Sequence, residues 1–283
     1  MKKRKQASSD FTFAQLPHNR KEVFFDCLKL RFGTVVCCGL LLLLFLLPLI
    51  AIEITYDIVN LNIYNSLIGG QMSEMQATLY KNELQLYVSL AQTVCLGIFA
   101  VGLAGVARIL RQLVWGEPIF FWVDFKRGIK QNVARFIAVL LICALVNVVS
   151  VLCSTMLDEM PIVGYIPLGV LIFVAVPVAM FVLSQSTIYS VGFCKAITNG
   201  LAFYGKRPWQ TLLFTMLLVL VGLTRLAPVS ALKYTLLLLG TVLLLPMYIM
   251  AWLLVSCNVF DEVLNRDNYP ELFDKGVYRL DKQ

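Results

Sequence analysis

One histidine and eight cysteines are the chain's most obvious metal ligands and nucleophiles, and their spacing builds neither a metal site nor a catalytic pair. A tetrahedral site needs clustered ligands, yet His18 stands alone in a polar N-terminal stretch. Cys27, Cys37, Cys38, Cys95, Cys143, Cys153, Cys194 and Cys257 include no C-x-x-C pair and have no accompanying histidine. They read as small apolar packing residues. The charged residues Glu53, Arg108, Arg135 and Arg225 fall at the edges of apolar runs, where long side chains reach the interface. No ionisable residue lies near the middle of such a run, which disfavours a proton pump or charge-relay transporter. Phosphate-binding loops, nucleophile elbows and H-E-x-x-H helices are missing from the sequence. The reading is therefore a protein that is not an enzyme, with no catalytic, cofactor-binding or metal-ligating residue assigned. Uncharged polar residues do occur inside the runs: Thr93, Asn147, Ser150, Ser184, Gln185, Ser186 and Thr215. Hydrogen bonding between helices is favoured over substrate contact for these.

The elements that carry those residues are membrane helices. With 59% hydrophobic and 14% charged residues, and a mean hydropathy of +0.78, the chain has more apolar surface than a water-soluble globule can hide. Six charge-free stretches occur: Thr34–Ile52, Leu84–Ala107, Phe136–Leu157, Met160–Cys194, Pro208–Thr224 and Tyr234–Phe260. A span needs about 20 mostly apolar residues, so the expectation is an all-α polytopic protein with spans near 34–53, 86–107, 136–157, 163–185, 209–227 and 235–259. Pro161, Gly164 and Pro167 mark an irregular start to the fourth, and Pro48, Pro177 and Pro246 are expected to kink the first, fourth and sixth. In the second, Gly97, Ala100, Gly102, Ala104 and Gly105 leave a face for close helix approach, with internal packing favoured.

Orientation follows from Lys and Arg, which are retained on the cytoplasmic side during insertion. Alternate connections hold 21 of the 24 basic residues, leaving only Lys81, Arg225 and Lys233 opposite. Both termini are thus expected in the cytoplasm, with the net charge of +7 facing anionic lipid headgroups rather than nucleic acid. The first span exceeds a secretory h-region and has no small-residue cleavage site after Ile52, so it is expected to stay attached.

Residues 1–19 read as a flexible basic tail, 20–260 as the transmembrane domain and 261–283 as a short cytoplasmic tail that Asn268–Pro270 separates from the last helix. An amphipathic element is expected before each odd-numbered span. The apolar stripes are Phe25, Leu28 and Phe32; Trp122, Phe125, Ile129, Val133 and Phe136; and Cys194, Ile197, Leu201 and Tyr204, with Pro208 opening the following helix. The order aromatic, any, basic, small, Ile in both Phe125–Ile129 and Phe193–Ile197 is compatible with a threefold hairpin repeat, and equally with the general basicity of cytoplasmic loops. Gly69-Gly70 followed by Met72, Met75 and Leu79 predicts a short surface helix in the largest outer segment, Glu53–Glu83.

Leu47-Pro48-Leu49-Ile50, the run Phe125-Lys126-Arg127-Gly128-Ile129-Lys130-Gln131-Asn132, and Val182-Leu183-Ser184-Gln185 followed by Ile197-Thr198-Asn199-Gly200-Leu201 together resemble the YesL-like membrane proteins of Gram-positive bacteria. The resemblance covers roughly Phe24 to Phe260. It implies a multi-pass protein of the bacterial cytoplasmic (cell) membrane and a transport-linked role, since members often accompany carbohydrate-uptake genes, and it carries over no catalytic residue. Two readings follow: a non-enzymatic accessory or regulatory factor in transport or envelope assembly, or a permease subunit served by a separate cytoplasmic ATPase. Against the second, the loop from Lys195 to Trp209 lacks the acidic-Ala-Ala…Gly pattern of importer permeases.

Overall fold

The apolar runs become helices far longer than the runs themselves. The computed structural model describes residues 16–156, 161–222 and 231–278, and every regular element among them is helical. In order these are α1 (Arg20–Ile68), α2 (Glu74–Val114), α3 (Phe121–Met156), α4 (Ile166–Ile188, preceded by one turn at Pro161–Gly164), α5 (Phe193–Lys206), α6 (Pro208–Gly222) and α7 (Lys233–Asn268). Five of them, α1, α2, α3, α4 and α7, are long and apolar enough to cross a membrane. Helix α6 is apolar but shorter, and residues 223–227 of the expected fifth span lie outside the described residues.

At about 1.5 Å per residue, the 49 residues of α1 and 41 of α2 span roughly 75 and 60 Å, about twice a 30 Å hydrocarbon core. The two therefore continue past their apolar runs, and the surface helix expected after Gly69-Gly70 is instead the first turns of α2. The hairpin between them is written locally. Gly70, at φ +68°, ends α1, with Gln71 N donating to Ser66 O at 3.0 Å. Ser73 and Gln76 then open α2 with a reciprocal capping box.

The amphipathic segments come out differently from one another. The lead-in to α1 is helical and offset by a break at Arg31 (φ −132°, ψ 31°). Its inward face is Val23 and Cys27, whereas Phe25 and Phe32 point outward. Before the third span there is no separate interfacial helix: α3 runs unbroken from Phe121. Phe125 and Phe136 are buried as the stripe predicts, but Asp124, read as part of the polar face, is buried too. It caps the helix by accepting from Phe120 N at 2.8 Å, and Arg108 of α2 lies beside it. Only α5 is a separate helix, and its buried face is Ala196, Gly200 and Phe203, whereas Cys194 and Leu201 of the expected stripe are exposed; it is broken from α6 at Arg207 and followed by Pro208 as the first residue of α6.

Two of the three expected proline kinks are present as widened, π-type turns, Leu171–Ala175 before Pro177 and Gly240–Leu244 before Pro246. They shift the ladder where proline lacks its N–H. Pro48 leaves α1 without a break.

Packing is closest where side chains are smallest. Ala100 and Ala104 are fully buried, a Cβ on Gly102 or Gly105 would collide with the Phe45 or Phe125 ring, and one on Gly128 would lie 2.9 Å from Ala104 O. The α1–α7 approach is tighter still: a Cβ on Gly39 would sit 1.8 Å from Val242 O. One core joins α1, α2 and α7 through Val35, Leu42, Ile109, Leu110 and Met250. A second is aromatic, with Phe181 4.9 Å from Trp252 and Phe203 5.0 Å from Phe260. The outward faces are apolar: Leu40, Leu44 and Leu47 of α1 are exposed, as lipid contact requires.

The first and last described residues meet. Tyr278 N donates to Pro17 O at 2.9 Å, and His18, read as solitary, pairs through Nδ1 with Tyr278 O at 2.7 Å. Residues 269–278, read as part of a tail, lie back on the bundle, with Gly276 against Val114 O.

Candidate functional site

Where α1 and α2 outrun their apolar segments, they enclose a vestibule of about 1310 Å³ at the end of the bundle away from residues 16–18. Its walls are the 56–67 face of α1, the 74–92 face of α2 and the last turns of α3. Asp57 on this wall accepts a hydrogen bond from Lys233 Nζ at 2.7 Å and another from Tyr234 OH at 2.5 Å, tying α1 to the start of α7. One turn earlier on the same face, Glu53 accepts from Gln92 Nε2 at 2.6 Å. Glu53 was expected to snorkel to the interface; it is only 6% exposed, because α1 continues beyond it and α2 covers it.

Below the vestibule lies a second cavity of about 390 Å³, central among α2, α3, α4, α6 and α7. Ser89, Gln92 and Asn147 line both spaces, so the vestibule floor is the mouth of this inner chamber. Most of the chamber's polar side chains direct their hydrogen bonds away from it, to backbone. Thr93 Oγ1 donates to Ser89 O at 3.0 Å, Thr187 Oγ1 to Ser184 O at 2.8 Å, Tyr248 OH to Phe214 O at 3.0 Å and Trp252 Nε1 to Met180 O at 3.0 Å. What faces inward is then Leu, Phe, Ala, Met and ring carbon. Asn147 at the mouth is the exception, half-buried and making no side-chain hydrogen bond among the described residues.

Beyond the opposite end of the chamber, against its lining residue Thr187, lies a charged and aromatic cluster. Arg111, one turn beyond the chamber-lining Ala107, donates to Thr187 O at 2.5 Å and pairs with Glu117 at 3.7 Å. Its guanidinium and the Lys275 ammonium lie 4.6 and 4.2 Å from the Trp115 ring centre, and Lys275 bridges to Glu117 at 2.7 Å. Behind them, Arg20 pairs with Asp261 at 2.6 Å and donates to Lys275 O at 2.7 Å. Asp261 accepts from Asn265, which in turn accepts from Tyr189 OH. Burial pushes the Tyr189 phenol well above its ordinary range, so it stays a proton donor.

Of the polar residues expected to join helices, Gln185 does so, donating to Ala196 O at 3.2 Å and accepting from Asn199, and Ser184 accepts from Ser256 at 3.2 Å. Ser186 and Thr215 satisfy themselves on their own helices, Thr215 with a further contact to Met180 Sδ. Thr93 and Asn147 belong to the chamber. Arg108 bonds Gln131 and Arg135 reaches Tyr189 O at 3.4 Å, while Arg225 lies outside the described residues. Asp57 and Gln92 were not singled out from sequence, and Lys233 only as one of three basic residues on the outer side. The available signal was the spacing of Glu53 and Asp57, four apart and so on one helix face. Among the described residues no group of three or more His, Cys, Asp or Glu side chains converges as a metal site.

Compared with protein-family models, curated proteins and solved structures, the chain finds no match in any of the three.

Proposed function

We propose that the chain is a non-enzymatic, multi-pass protein of a bacterial cytoplasmic membrane, with six spans and both termini in the cytoplasm, that assists transport or envelope assembly by holding a ligand from the outer side. The observation that carries this reading is the pair of joined cavities, with the vestibule at one end and the Arg111–Trp115–Lys275 cluster packed beyond the other. The basic connections support the orientation, putting the end with the Arg111–Trp115–Lys275 cluster in the cytoplasm against anionic headgroups. The meeting of residues 16–18 with 277–278 supports an even number of crossings, which α6 would complete. The similarity to YesL-like proteins supports the transport-linked part. All the polar chamber residues except Asn147 engage protein partners, which favours holding a molecule over transforming it.

The test is mild-detergent purification from the native membrane, paired with reconstitution of the purified chain into liposomes. Stoichiometric recovery of transport or envelope-assembly proteins, with no solute flux by the chain alone, is the expected result. Autonomous flux would overturn the accessory role. The permease-subunit reading is kept alive by α5, a discrete helix on the basic side with Lys195 and Leu201 turned outward where a motor protein could press on it. Stoichiometric recovery of an ATPase, with transport that requires this chain, would select it.

A further inference from the structure

The inner chamber has the wrong walls for an ion or a sugar. Each hydroxyl moved from water to an apolar wall without a partner costs roughly 1–3 kcal/mol, and the groups that could receive a sugar are already turned onto backbone. An apolar cavity takes an apolar occupant instead, and about 390 Å³ is within the size of small-ligand pockets, about 300–1,000 Å³. The mouth is different in kind. Ser89, Gln92 and Asn147 form a polar collar between this space and the vestibule, and the Asn147 amide has both its donor and its acceptor capacity open to a ligand. An apolar space under a polar collar, opening into a vestibule of about 1310 Å³, is complementary to a molecule with one chain and one head.

We propose that the joined cavities bind a single-chain amphiphile, with its hydrocarbon chain in the chamber among Leu140, Ala144, Leu183 and Trp252 and its head hydrogen-bonded at Asn147. The head is uncharged and carries hydroxyl or amide groups. The vestibule is lined by one cation, Lys81, against the carboxylates Glu74 and Asp57, the latter already paired with Lys233, and the Glu53 carboxylate held by Gln92 repels an anionic head. The proposal deepens the ligand-holding role above and rests on it, naming the ligand's chemical class.

The experiment uses the full chain in phospholipid nanodiscs and a monoacylglycerol bearing a diazirine in its tail, followed by mapping of the labelled peptides. Saturable labelling of the α3 and α4 segments that line the chamber is expected, at least tenfold reduced by excess unlabelled monoacylglycerol and unchanged by glucose or maltose. Ala144→Trp, which fills the chamber, should abolish it, and Asn147→Ala should weaken it at least fivefold with the melting temperature unchanged. Competition by the unlabelled amphiphile needs no variant, so the test stands even where Ala144→Trp fails to fold. Labelling confined to the lipid-facing Leu40, Leu44 and Leu47 overturns the proposal. So does non-saturable labelling, or chamber labelling by a two-chain diacylglycerol probe alone, the behaviour of bulk bilayer lipid. Because nanodiscs present both faces, the outcome is independent of topology and of partner recovery, and either reading can fail without the other.

Discussion

Asp57 and Lys233 are 176 positions apart in the chain and 2.7 Å apart in space, both almost fully buried. Removing Lys233 leaves the buried Asp57 charge with only the Tyr234 hydroxyl as a donor, at a cost of about 3–5 kcal/mol, whereas replacing both partners of such a pair by apolar groups is often close to neutral. Lys233→Met is therefore expected to lower stability by that amount in denaturant unfolding of the purified protein, and Asp57→Leu combined with Lys233→Met should recover most of the loss. A double variant as unstable as the sum of the two singles would show that the residues do not act as a pair. Gly39 makes an independent prediction. A methyl group there overlaps Val242 O, so Gly39→Ala must push α1 from α7, and a loss of about 1–3 kcal/mol is expected by the same measurement. These sites were barely legible in the sequence. Asp57 and Lys233 both look like ordinary charges near the ends of apolar runs, and nothing local says that α1 carries Asp57 onward as helix to meet α7. The small residues of α2 were legible as a packing face because their spacing is a local property; Gly39 was not, since its partner is a backbone carbonyl two hundred residues away.

At the scale of elements, the 269–278 segment lies as a strap over the end of α2. Gly276 at φ +84° has its Cβ position 2.5 Å from Val114 O, and Lys275 beside it touches Trp115 and Glu117. Gly276→Val is strained in the backbone and blocked by Val114, so the strap should lift. Trypsin cleavage at Lys275 in the solubilised protein is expected to accelerate at least tenfold, about 1.4 kcal/mol of local opening. An unchanged cleavage rate would mean the segment is held elsewhere. Charge-free runs made the apolar core of each long helix readable, because they report the thickness of hydrocarbon to be crossed. Helix length was not readable from them: nothing after Ile52 stops α1 until Gly69-Gly70, so polar residues simply continue the helix. The amphipathic stripes were misphased where neighbours set the inward face. Asp124 is drawn inside by its cap to Phe120 and by Arg108, and the lead-in of α1 turns at Arg31, which presents Val23 and Cys27 inward in place of Phe25.

For the whole molecule, the proposed topology has six crossings that carry the vestibule to the outside and leave both ends of the chain, with most of the positive charge, in the cytoplasm. The balance of Lys and Arg is what supports the proposed orientation, whereas the joined cavities had no signal in the sequence, being lined by five helices from across the chain. The direct measurement is labelling by a membrane-impermeant maleimide of single cysteines placed in a cysteine-free variant. Gln71→Cys on the α1–α2 turn and Ala227→Cys after α6 should react in intact cells. Lys206→Cys at the end of α5, together with a cysteine appended after Gln283, should react only once the membrane is permeabilised. Reaction of Lys206→Cys in intact cells, or protection of Ala227→Cys until permeabilisation, would contradict the six-span arrangement.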